Sequence, residues 1–108
     1  MERRLFLLQR LTALVLAPQV LVHLGLVLVA IRGGLTAAEI LARTQGSVGW
    51  ALFYGLFVVA VAVHAPIGVR NVLREWTGLA RAAVDWVALG FGGLLLVVGL
   101  RAVWAVVG

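Results

Sequence analysis

The sequence predicts an all-α membrane protein built from three transmembrane helices, and three observations carry that expectation. Of the 108 residues, 64% are apolar and 12% are charged, whereas a soluble domain holds roughly half apolar and about a quarter charged residues. The mean hydropathy of +1.14 leaves too little polar surface to cover the chain in water. The apolar residues also fall into three runs of spanning length, since about 20 residues, each advancing about 1.5 Å, cross a hydrocarbon layer about 30 Å thick. Strands are excluded because lipid leaves their backbone groups unpaired outside a closed barrel, and three apolar blocks cannot close one.

The first span is expected from Leu11 to Ile31, between Arg10 and Arg32. Arg3, Arg4 and Arg10 have the look of a signal-peptide n-region, but the apolar run exceeds a usual h-region and no small-x-small site follows. The span is therefore expected to stay in the mature protein. In the loop beyond it, Thr36-Ala37-Ala38-Glu39 reads as a capping box that opens a short surface helix to about Thr44, stopped by Gln45-Gly46-Ser47. The second span runs from about Val48 to Val69, and its helix is predicted to continue past the membrane through Arg74, Glu75 and Trp76 until Thr77-Gly78 breaks it. The third runs from about Val84 to Val107, with Arg101 near its far end. Its Gly90, Gly92, Gly93 and Gly99 allow a neighbouring helix to approach closely. No soluble domain is visible, so residues 1–108 read as a single membrane-anchor domain.

The net charge of +5 comes from arginines that punctuate apolar runs and form no basic face, which excludes nucleic acid as a partner. Arg3, Arg4, Arg10, Arg70, Arg74 and Arg81 fall on one side of the spans, and Arg32, Arg43 and Arg101 on the other. The positive-inside rule then predicts a cytoplasmic N-terminus and a C-terminus outside. With that topology Trp50 and Trp104 anchor the outer interface, and Trp76 and Trp86 the inner one. The absence of cysteine excludes disulfides, thiolate metal sites, iron–sulfur ligation by this chain and cysteine nucleophiles.

Ionisable side chains are costly within a span, which singles out His23 and His64. Measured from Arg10 and Arg70 as inner edges, they lie about 20 Å and about 9 Å deep. Rings at such different levels cannot clamp one metal or one porphyrin, so as ligands each needs a partner from elsewhere. Gln9, Thr12, Leu16, Gln19 and His23 fall within about 40° of one line on the first helix, a stripe that must face protein. On the second helix His64, Gly68 and Asn71 share a face, and Gly68 clears space for a flat cofactor or a close helix. Pro18 and Pro66 free the carbonyls of Leu14 and Ala62, near each histidine.

Each imidazole has two readings, a bond to a neighbouring helix or ligation of a metal centre. Zinc wants several nearby N, S or O ligands that this chain does not show, whereas haem needs only an axial imidazole from each side. Arg10 and Arg70 close the inner ends of the two His-bearing helices, where a guanidinium can pair with a haem propionate or donate to a quinone carbonyl. The remaining arginines read as snorkelling anchors.

Two segments resemble those of the cytochrome b membrane-anchor subunits of succinate dehydrogenase and fumarate reductase. The first helix of that family opens with Ser-x-x-His-Arg-x-(Ser/Thr)-Gly. Here Arg10 and Thr12 match, and Phe6, Gln9 and Ala13 replace Ser, His and Gly. The second helix ends with His-x-x-x-Gly-x-Arg-His-x-x-x-Asp in the family. His64, Gly68 and Arg70 match it, with Asn71 and Glu75 at the last two places. The resemblance implies that His64 is an axial ligand of haem b and that Arg10 lies near the quinone site and the propionates, with Arg70, Thr12 and Gln9 as further candidates. In two-haem members first-helix histidines serve the outer haem and second-helix histidines the inner one, the positions of His23 and His64. The implied cofactors are one or two b haems shared with a second membrane-anchor subunit, and quinone is the substrate.

The implied partners are that anchor, an iron–sulfur subunit and a flavoprotein subunit docked on the cytoplasmic face of a bacterial inner membrane. The chain itself is then a non-catalytic membrane subunit of a succinate:quinone oxidoreductase. Two rival readings are a haem-free anchor of the same type and a small oligomeric transporter. The transporter expects a carboxylate within a span, and only Asp85 approaches that, at the start of the third helix where it suits the helix dipole.

Overall fold

The computed structural model describes residues 2–108. Four helices follow one another along the chain: α1 (Glu2–Gly33), α2 (Ala37–Thr44), α3 (Val48–Trp76) and α4 (Arg81–Val107). No strand occurs among the described residues, and α1, α3 and α4 are each long and apolar enough to cross a membrane.

Both α1 and α4 begin before the predicted spans. Residues such as Arg3, Arg4, Leu5 and Gln9 are good helix formers, and no Gly or Pro separates them from Leu11, so the ladder starts at Glu2. Arginine marks where a membrane edge lies, not where a helix starts. The local stop and start signals behave as predicted. Thr36 and Glu39 form both halves of the capping box, with Glu39 N–H donating to Thr36 Oγ1 at 3.2 Å and Thr36 N–H to Glu39 Oε2 at 3.1 Å. Helix α3 runs on to Trp76, where Thr77 returns its N–H to the carbonyl of Leu73.

Helix α3 is the centre of the bundle, packed on one side by α1 and more extensively on the other by α4. Glycine sets the second contact. A Cβ on Gly92 would lie 2.9 Å from Pro66 Cγ and 3.1 Å from the Ala62 carbonyl oxygen, and one on Gly99 would lie 2.6 Å from Val58 Cγ1. The carbonyl freed by Pro66 is thus covered by the backbone of α4 at Gly92. A Cβ on Gly90 or Gly93 would meet nothing within 4 Å among the described residues, so two of the four glycines on α4 are seen to serve packing there.

The buried apolar core is thin: Leu16, Ala60, Ile67, Val84 and Ala88. Large apolar side chains such as Leu14, Leu21, Leu52 and Leu89 face outward, where lipid or another helix solvates them. The last residue of α2 and the loop after it close one end. Thr44 Oγ1 donates to the Val106 carbonyl at 2.6 Å, Gly46 N–H to that of Val107 at 2.8 Å and Gln45 Nε2 to that of Gly108 at 3.2 Å. These bonds satisfy carbonyls that the last turn of a helix leaves without a partner.

Candidate functional site

The stripe predicted on α1 turns towards α3. Leu16 and Gln19 are buried, and Gln9 and Thr12 are half-buried. Thr12 Oγ1 lies 3.2 Å from His64 Nδ1, joining α1 to α3 through the half-buried imidazole. The same hydroxyl reaches back to the Leu8 carbonyl at 2.7 Å and the Gln9 carbonyl at 3.1 Å. One turn along α3, a Cβ on Gly68 would stand 3.5 Å from Gln9 Nε2. Of the two occupants that the sequence allowed for the Gly68 face, this chain supplies the close helix.

Two amides in this seam have unspent capacity. Gln19 Nε2 donates to the Phe53 carbonyl at 3.2 Å, while Gln19 Oε1 and Gln9 Oε1 are buried with no hydrogen-bond partner among the described residues. A buried acceptor without a donor is costly, so each of these oxygens is a place where a ligand or water hydroxyl gains a bond.

His23 stands differently. Its ring is exposed and meets ring edges, 6.1 Å from Tyr54 and 5.7 Å from Phe57 between centroids. Those partners precede His64 on α3 by a distance of about 10–15 Å at 1.5 Å per residue, so the two histidines occupy different levels of the bundle.

Arg70 belongs to the opposite seam. Its residue is only 8% exposed, and its Nε donates to Asp85 Oδ1 of α4 at 2.9 Å. Sequence reasoning missed this pair by assigning Asp85 to the helix dipole alone. The signal available was an acid in the second turn of one antiparallel span facing an arginine near the end of the preceding one. Beside the pair runs a groove of about 550 Å³ lined by apolar side chains including Val63, Ile67, Leu89 and Leu96, with Arg70 and Asp85 in its wall. Arg10 is exposed on α1 with its guanidinium 5.5 Å from the Phe6 ring centroid. Gln9, Thr12 and His64 therefore come together, Arg70 joins Asp85, and His23 and Arg10 stand apart.

Comparison with known families gives one match. The model described as succinate dehydrogenase/fumarate reductase transmembrane subunit matches residues 3–107. No curated protein and no solved structure matches the chain.

Proposed function

This chain belongs to the succinate dehydrogenase/fumarate reductase transmembrane subunit family, and on that premise we propose that it is the haem-ligating anchor of a succinate:quinone oxidoreductase. His64 would hold one haem b and His23 a second, each shared with a second membrane-anchor subunit. The observation that carries this reading is the donor set. Among the described residues no three His, Cys, Asp or Glu side chains gather, so a bare ion finds no cage. A haem asks this chain for one imidazole only, and His64 offers one, half-buried between two helices.

Bound haem supplies one-electron transfer; the chain's own residues hold, orient and pair. Gln9 Oε1, a buried acceptor with no donor among the described residues, suits a quinol hydroxyl. Arg70 at the groove and Arg10 on the outer surface of α1 supply guanidinium donors for propionates or a quinone carbonyl. Succinate oxidation falls to the flavoprotein and iron–sulfur partners, docked on the arginine-rich face that the positive-inside rule assigns to the cytoplasm of a bacterial cell. The transporter reading loses ground because its one candidate carboxylate, Asp85, is engaged by Arg70.

The test is optical. The purified complex is expected to show reduced b-type bands and pyridine haemochrome, with His64→Ala removing one haem and His23→Ala the other. Unchanged haem in His23→Ala reduces the reading to one haem. A complex colourless in the Soret region replaces it with the haem-free anchor.

A further inference from the structure

The Thr12 hydroxyl has one proton and three neighbours that could take it. The Leu8 carbonyl stands at 2.7 Å, the Gln9 carbonyl at 3.1 Å and His64 Nδ1 at 3.2 Å. Hydroxyl hydrogen bonds favour about 2.7–2.8 Å, and the bond from a helical threonine to the carbonyl four residues back is a recurrent local pattern. The hydroxyl therefore donates to the Leu8 carbonyl, and towards His64 its oxygen has only lone pairs to offer. A contact between that oxygen and Nδ1 is then favourable only when Nδ1 carries the ring proton. In a neutral imidazole this leaves Nε2 bare.

We infer that Thr12 is a positioning residue for His64, its hydroxyl accepting from Nδ1–H and so holding the imidazole in the tautomer whose Nε2 presents a free lone pair. The inference rests on the proposed ligation of haem by His64 and moves Thr12 from a direct contact with propionate or quinone to a role behind the ligand. Bonding of the distal ring N–H to an acceptor fixes a ligand's tautomer and orientation and raises its basicity. Here the acceptor comes from a different helix than the histidine. The register between α1 and α3 thus enters the electronic character of the ligand, because a slip between the helices breaks the bond.

Thr12→Val keeps the side-chain shape and removes the acceptor; Thr12→Ser keeps the acceptor. In the intact complex Thr12→Val is expected to weaken haem retention by about 10-fold or more and to raise the midpoint potential of the remaining band, because a less basic ligand favours ferrous iron. Thr12→Ser is expected to restore both. A change in packing alone gives no reason for serine rescue or for that direction of potential shift. If Thr12→Val leaves potential and haem content unchanged while His64→Ala loses the haem, Thr12 has no positioning role and the ligation stands. An undiminished haem content in His64→Ala overturns both. Should Thr12→Val not assemble, the tautomer is read directly by ¹⁵N magnetic resonance of the full chain in bilayers, with Thr12 intact and with His23→Phe leaving one histidine. Protonated Nδ1 with bare Nε2 supports the inference, and protonated Nε2 with bare Nδ1 overturns it.

Discussion

Helix α3 meets its two neighbours by opposite means. On the α4 side glycines bring backbones together, and Arg70 pairs with Asp85. On the α1 side the contacts include a hydroxyl against an imidazole, an amide against Gly68, an amide against a backbone carbonyl and the His23 ring against Tyr54 and Phe57, with two amide oxygens left over among the described residues. Helices in lipid gain no hydrophobic driving force from meeting each other, so close packing and polar contacts must hold them. The difference teaches a division of labour. The tight seam joins helices by shape, while the polar seam joins them by hydrogen bonds and leaves two amide oxygens without a partner among the described residues.

The sharpest way to break this comparison is to fill the tight seam. Val58 cannot evade a Cβ on Gly99 by rotating, since its own Cβ would sit 3.3 Å away. At Gly92 the obstacles are a proline ring and a backbone carbonyl, neither of which swings aside. Overpacking costs about 1–3 kcal/mol per site, and the sites lie about 10 Å apart along α4, far enough to add. The double variant Gly92→Ala/Gly99→Ala is therefore expected to lose about 2–6 kcal/mol to overpacking, offset by the roughly 1 kcal/mol per site that alanine gains over glycine in a helix, a net loss of up to about 4 kcal/mol. Denaturant titration of the full chain in mild detergent, followed by circular dichroism, measures it; no net loss would mean that the seam is loose.

Next comes the ion pair. Its side chains are unequally buried, Arg70 at 10% exposure and Asp85 at 47%. Removing one partner of a fully buried pair costs about 3–5 kcal/mol, and the half-exposed carboxylate lowers that expectation to about 1–3 kcal/mol for Asp85→Ala. Asp85→Asn keeps an acceptor for Arg70 Nε and should fall between that variant and the parent in the same titration. Equal losses for both variants would assign the effect to charge rather than to the hydrogen bond.

These features differ in how far the sequence disclosed them. The spans and the Thr36–Glu39 cap were legible because each is local, a hydropathy run or a four-residue pattern. The stripe from Gln9 to His23 was legible as a face, since helical period alone places those residues together. Its partner was not. Nothing in the period of α1 states that Thr12 meets His64, because the register between two helices is settled by packing along their whole length. The same reason hid Arg70–Asp85 and the bond from Thr44 to the last turn of α4. Where α1 starts was not stated by the span bounds, because an arginine marks a membrane edge and not a helix start.

The smallest expected effect sharpens the comparison most. Gly68→Ala adds to the polar seam the same methyl that Gly92→Ala adds to the tight one, but its nearest neighbour is Gln9 Nε2 at 3.5 Å. That is ordinary contact with the far end of a flexible side chain. Alanine also favours the helix by about 0.8–1 kcal/mol over glycine in water, so stability should stay within about 1 kcal/mol of the parent and shift, if at all, upward. If the complex holds haem as proposed, its content should also hold, because the Gln9 amide already fills the space that Gly68 opens. Haem loss at unchanged stability would mean that Gln9 swings away to admit the cofactor against Gly68. The seam would then be a closed form of the binding site, and the unspent Gln9 oxygen would mark the side chain that moves.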